Sequence, residues 1–127
     1  MDHIKEYFEG IERSVSRSPV IASHEIKYEE KSKTLGILYG KIIVVDSRIM
    51  EFLEMVRIDK ERLLMKYRYH LMDSNGSLIF RYDNAPHYKR ISTFPHHRHT
   101  LKEGKEIVEP AEEPDLSKIL DEIRTSL

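Results

Sequence analysis

The 127-residue sequence contains no cysteine and no tryptophan. Without cysteine there is no disulfide, no thiolate metal site and no cysteine nucleophile. Apolar runs are short as well. The longest, Ile42 to Val45, falls far below the roughly 18–20 residues that span a bilayer. The opening Met-Asp-His-Ile-Lys-Glu lacks the apolar stretch of a signal peptide, so a cytoplasmic protein without a membrane partner is expected. A glycine-rich phosphate loop, a nucleophile elbow, a dinucleotide fingerprint and internal repeats are also missing. Net charge is nearly absent at −1, yet it is segregated along the chain. Residues 86–105 carry Lys89, Arg90, Arg98, Lys102 and Lys105 with four histidines and only Glu103 as an acid. The stretch that follows is acidic, with Glu106, Glu109, Glu112, Glu113, Asp115, Asp121 and Glu122 against Lys118 and Arg124.

What is present divides by period. Ile4, Tyr7, Phe8, Ile11 and Val15 recur at helical spacing behind Asp2 as N-cap, and Ser18-Pro19 ends the helix. From Val20 the period becomes two, with Val20, Ala22, His24, Ile26 and Tyr28 on one face. Strands follow over Leu35–Val45, Arg48–Ile58, Leu63–Met72 and Leu78–Tyr82, separated by short turns. Gly36 and Gly40 would allow a bend or bulge, and Asn75-Gly76 would supply the positive φ angles of a hairpin loop. Strands joined so tightly are antiparallel, because a parallel crossover takes about a dozen residues. From Asp83 to Pro114 periodicity fades, and Leu116, Ile119, Leu120, Ile123 and Leu127 then mark a last amphipathic helix. The expected fold is α+β, one domain with a curved antiparallel meander of five to six strands over 20–83. Helices at 1–17 and 115–127 flank it, and a histidine-rich loop region fills 84–113.

Chemistry concentrates between Arg81 and His99. On the fourth strand Met65, Tyr67, Tyr69 and Leu71 form an apolar face, while Lys66, Arg68 and His70 face water or a partner. That polar stripe is either a solvated sheet face or a phosphate-contacting track. His24 lies on the apolar face of its strand and reads as a satisfied core histidine. Glu51 and Glu54 fall on opposite faces and form no carboxylate pair. Four of seven histidines, His87, His96, His97 and His99, sit close together. One reading is a metal site. His96 and His97 would point apart, but His97 and His99 could share an ion with Asp83 or His87. A second is acid–base cleavage of a phosphodiester, with histidines near their ordinary pKa and Arg81 and Arg98 beside the developing charge. A third is structural, with Pro86 and Pro95 fixing the chain, histidines bonding loop to sheet, and Arg81 paired with Asp83 or Asp73.

The stretch Arg81-Tyr82-Asp83-Asn84-Ala85-Pro86-His87, followed by Phe94-Pro95-His96-His97-Arg98-His99, resembles the TumE family of small prokaryotic toxins from toxin–antitoxin pairs. Arg98 stands where the family pattern has lysine, which keeps the cation. Glu112-Glu113-Pro114-Asp115-Leu116 before the final helix fits as well. The resemblance runs from about Val20 onward. It implies a cognate antitoxin of the helix-turn-helix kind and RNA as target, and transfers no reaction mechanism.

With the toxin role that the resemblance implies, the residues lead to the expectation of a metal-independent ribonuclease that needs no cofactor. Arg81 and Arg98 would hold phosphate, and His87 with His96 or His97 would share the base and acid roles. Asp83 would orient a histidine or anchor Arg81, while Lys66, Arg68, His70 and His99 would extend the RNA track. The alternatives are a non-enzymatic protein docking a partner through the basic cluster, and a metal-dependent nuclease or hydrolase. An exposed strand edge, the first strand being the candidate, would offer a homodimer or partner contact.

Overall fold

A computed structural model describes residues 2–127. Helix α1 (His3–Arg17) begins where the Asp2 carboxylate accepts a 2.9 Å hydrogen bond from the Lys5 amide, satisfying one of the free N–H groups of the first turn. Seven strands follow: β1 (Ile21–Glu30), β2 (Leu35–Val44), β3 (Ile49–Ile58), β4 (Arg62–Met72), β5 (Leu78–Asp83), β6 (His97–Lys102) and β7 (Lys105–Pro110). Helix α2 (Leu116–Thr125), capped by Asp115, closes the order. All strands pair antiparallel with their sequence neighbours in one sheet of order β1 to β7. The sheet and its flanking helices are thus as expected, with seven strands in place of five or six.

The two added strands lie inside the region read as a loop. Glu103 (φ 52°) and Gly104 (φ 77°) make a two-residue turn, and Lys102 pairs with Lys105 across it. Irregular chain is therefore confined to 84–96 and the short stretch before α2. At the earlier hairpin only Gly76 takes a positive φ, while the Asp73 carboxylate accepts from the amides of Asn75 and Ser77.

Both helices pack on one face of the sheet. Ile4, Ile11 and Val15 of α1 and Leu116, Ile119, Leu120 and Ile123 of α2 are buried there. They meet Leu38, Ile42, Phe52, Val56, Tyr69, Leu71 and Phe80, the inward residues of the period-two pattern. Two residues assigned to that face leave it. Ala22 and Met65 are exposed because each is the extra residue of an irregular step, between Ile21 and Ser23 and between Leu64 and Lys66. Gly36 makes no bulge. It lets α1 sit directly on β2, since a Cβ there would come 2.6 Å from Phe8 Cζ and 2.7 Å from Ile4 Cγ2.

His24 and Glu54 are among the polar groups on the helix side. His24 Nε2 lies 2.9 Å from Glu12 Oε1 of α1, the satisfied histidine expected there. Glu54 is fully buried between α1 and the sheet, accepting from Tyr7 Oη at 2.5 Å and Tyr69 Oη at 2.6 Å. Burial raises its carboxyl pKa against the lowering pull of both hydroxyls and of Arg62. The opposite face carries Lys41, Glu51, Lys66 and Arg68, all exposed. No described helix is long and apolar enough to cross a membrane.

Candidate functional site

The pairing register brings distant chemistry onto the uncovered face. Arg68 is opposite Asp83, which is opposite His97. One step along, His70 is opposite Arg81, which is opposite His99. Since alternate residues of a strand share a face, these six side chains form two rows across β4, β5 and β6. The rows continue onto β3, where Leu53 is opposite Arg68 and Glu51 opposite His70.

Asp83 is the hub. Its Oδ1 lies 2.8 Å from His97 Nε2 and accepts the Ala85 amide at 3.0 Å. Its Oδ2 accepts from Arg81 Nε at 3.3 Å and lies 3.6 Å from His99 Nε2. The far nitrogen of each ring is engaged too, His97 Nδ1 with the Pro95 carbonyl at 3.0 Å and His99 Nδ1 with Glu106 Oε2 at 3.2 Å. Both histidines are only 2% exposed. Tyr88, from the connection between β5 and β6, packs edge-on against both, its ring centre 4.8 Å from that of His97 and 5.6 Å from that of His99. Burial, and then the Arg81 guanidinium, push the His99 imidazole below its ordinary pKa and favour its neutral form.

The start of that connection is held by Asn84. Its Oδ1 accepts the Tyr67 amide at 3.1 Å and its Nδ2 donates to the Met65 carbonyl at 3.1 Å. The side-chain amide thus pairs with β4 beside the bulge, where β5 can no longer do so. Thr93 anchors the other end, donating to the His96 carbonyl at 2.6 Å and accepting from the Ala111 amide at 3.0 Å.

Above the cluster opens a cavity of about 420 Å³. His87 and Tyr88 reach it from the connection, Lys66, Arg68 and His70 from β4, and Arg81 and Asp83 from β5. Leu53 and Arg68 also line a neighbouring trough of about 350 Å³ over β1 to β3, where Lys27, Tyr39 and Lys41 lie. The two spaces thus adjoin at Leu53 and Arg68, and together their linings make up the channel of the open face. His70 is half-buried in it, and burial followed by Arg81 lowers its pKa. Chemically the channel combines cations, imidazoles and little acid apart from Glu25, Glu51 and the paired Asp83.

The structure brings together His87, His97, His99, Arg81, Asp83, Lys66, Arg68 and His70. It does not bring His96 or Arg98. The His96 ring stacks on Tyr67 with Nδ1 2.8 Å from the phenol oxygen, and its Nε2 faces Glu113 at 3.8 Å. Arg98 has the opposite parity to His97 and His99 and points to the helix side. There Nη1 donates to Glu109 at 2.7 Å and Nη2 to Glu122 at 2.8 Å, with the guanidinium over the Phe80 and Tyr82 rings. So placed, Arg98 clamps β7 and α2 to β6 and lies outside the cavity that gathers the other candidates. Residue patterns had passed over Asn84, Tyr88 and Glu106. Lys41 and Glu51 carried a signal, namely the parity opposite to their buried neighbours.

Comparison with curated proteins and with solved structures found no match. The family model described as toxin TumE matches residues 11–127, which include every strand and both histidine motifs. With the match extending through the whole sheet and the cluster built on it, the chain belongs to the TumE toxin family.

Proposed function

We propose that this toxin acts on RNA as an endoribonuclease, with the channel on the open sheet face as its substrate track. The observation that carries the reading is that His70, His87, Arg68 and Arg81 line one cavity. Lys27, Lys41 and Lys66 extend the cationic surface away from it, as phosphate binding along a strand requires.

The acid–base roles follow from access. His97 has both nitrogens engaged beneath Tyr88, and His96 lies outside the cavity, so the pair open to a substrate is His70 and His87. His70, held toward its neutral form, takes the proton from a ribose 2′-hydroxyl. The 2′-oxygen attacks the adjacent phosphorus, the bond to the 5′-oxygen breaks, and His87 as imidazolium protonates that leaving oxygen. The products are a 2′,3′-cyclic phosphate and a 5′-hydroxyl. Arg68 and Arg81 hold the non-bridging oxygens, where negative charge grows in the transition state. This step places no metal at the reacting phosphate.

As a toxin of this family the chain is one half of a toxin–antitoxin pair, and membership implies an antitoxin partner. The sequence resemblance supports a helix-turn-helix antitoxin. The outer edge of β1, at one end of the sheet, supports a self-association surface.

The test is cleavage of end-labelled RNA by the purified chain. His87→Ala and His70→Ala, shown folded by circular dichroism, are each expected to lose about 100-fold or more in rate. Cleavage at the parent rate in both variants would sink the assignment. Salt-sensitive RNA binding without turnover would instead support a non-enzymatic binding protein, a reading favoured by the internal pairing of Asp83, His97 and His99.

A further inference from the structure

The hydrogen bonds around Asp83 contain an imbalance. A carbonyl oxygen only accepts, so His97 Nδ1 must donate to Pro95. An ionised carboxylate only accepts, so His99 Nδ1 must donate to Glu106. In their neutral forms both rings then present a bare Nε2 lone pair to the buried carboxylate of Asp83, at 2.8 Å and 3.6 Å. His97 faces Oδ1 and His99 faces Oδ2, and one ligand atom from each of the three side chains lies within 4.8 Å of the others. Arg81 Nε and the Ala85 amide donate to this carboxylate, and neither places a hydrogen on the two Nε2 lone pairs. Such an arrangement calls for a positive charge at its centre.

The geometry points to a transition-metal dication bound by Asp83, His97 and His99, and we propose Zn²⁺ as the ion that fits. About 2.0–2.1 Å from a tetrahedral zinc, neighbouring donors stand about 3.3 Å apart, and His97 and His99 stand 2.8 Å and 3.6 Å from the two separate oxygens of Asp83, on either side of that value. The donor set of two imidazoles and one carboxylate suits zinc and disfavours magnesium, which takes oxygen ligands and keeps its waters. The outer contacts are those that metal-binding histidines require. Each ring donates its far N–H to a fixed acceptor, a carbonyl for His97 and a carboxylate for His99, which holds its lone pair on the ion. The cavity that these residues border supplies room for water as the fourth ligand.

The site goes beyond the ribonuclease reading and does not depend on it, because the ion lies under Tyr88 while the acid–base pair is His70 and His87. Bound there, it would tie β5 to β6 and seat the connection that carries His87.

The experiment is zinc binding to the chelator-stripped chain, read by competition with a chromophoric chelator and by metal content after gel filtration. One zinc per chain is expected, with no displacement by millimolar magnesium. The paired substitution His97→Gln and His99→Gln should abolish retention. Glu106→Ala, at a half-exposed position and checked for folding by circular dichroism, should weaken binding by about 10- to 100-fold. Failure of the folded parent chain to retain zinc would overturn the proposal and leave protons as the shared charge. Equal zinc affinity in the folded paired variant would overturn it too. RNA cleavage is read separately, so either conclusion can fail without the other.

Discussion

Asp83 Oδ1 and His97 Nε2 face each other at 2.8 Å across the pairing of β5 with β6, both side chains nearly excluded from solvent. The same carboxylate partners the Arg81 guanidinium, and removing one member of a largely buried ion pair leaves the other without compensation. Asp83→Ala also strips Arg81 and the Ala85 amide of their acceptor. The variant is expected to lose about 3 kcal/mol in urea unfolding, a cost typical of breaking such a pair. A loss below about 1 kcal/mol would show that the network contributes little.

Arg98 makes a contrasting case. Its two carboxylate partners tie β7 and α2 to β6 on the covered face, away from the channel. Since all three side chains are partly exposed, the expected cost of Arg98→Ala is about 1–2 kcal/mol, discounted for solvent screening. RNA cleavage per folded molecule should stay within about twofold of the parent, well short of the loss that removing an acid–base group brings. A fall of that larger size in the folded variant would return Arg98 to the site.

Glu54 sets a pH dependence. Its carboxyl pKa is raised above the ordinary 4.5 by burial, so the folded state holds that proton more tightly than the unfolded chain. The resulting stabilisation is complete below the ordinary value and disappears as pH rises through the raised one. Tyr7, Tyr69, Arg62 and Asp115 are the groups acting on it. Glu54→Gln keeps a neutral acceptor and donor for the two phenols. Relative to the parent it should gain stability as pH rises above 4.5, measured by urea unfolding across the pH range. Parallel stability profiles for the two proteins would refute this.

Lys66 and Arg68 test the channel electrostatically. Each phosphate contact removed should lower the salt slope of RNA binding by about 0.7. Lys66→Ala and Arg68→Ala are therefore expected to weaken binding across RNA sequences alike, most strongly at low salt. An unchanged slope in both would place RNA elsewhere on the molecule.

The elements legible in the sequence are those whose buried side is apolar. Leu38, Ile42 and Val44 or Met50, Phe52 and Val56 announce β2 and β3 by alternation alone. β6 buries His97 and His99 on the face away from the helices and turns Arg98 toward them, so neither side of it reads as apolar and its pattern resembles a loop. Its turn, Glu103-Gly104, lacks the Asn or Asp that marked the earlier hairpin. Once β6 is known, parity alone separates His97 and His99 from His96 and Arg98. Met65 shows the reverse limit, since one extra residue at a bulge reverses a side chain that the pattern places inward. The gathering of Arg68, Asp83 and His97 needed the register of three strands, which composition does not encode locally.

The uninterrupted β1-to-β7 order also governs how the molecule is made. A sheet in which every strand joins its predecessor can zip up as the chain leaves the ribosome, with short loops to close at each step except the longer 84–96 connection. The first five strands can form while His97 and His99 are still untranslated, so a truncated product would carry the basic stripe of β4 and no imidazole cluster at all. The cluster of Asp83, His97 and His99 is thus completed late, when only the rest of β6, β7 and the closing helix remain to be synthesised.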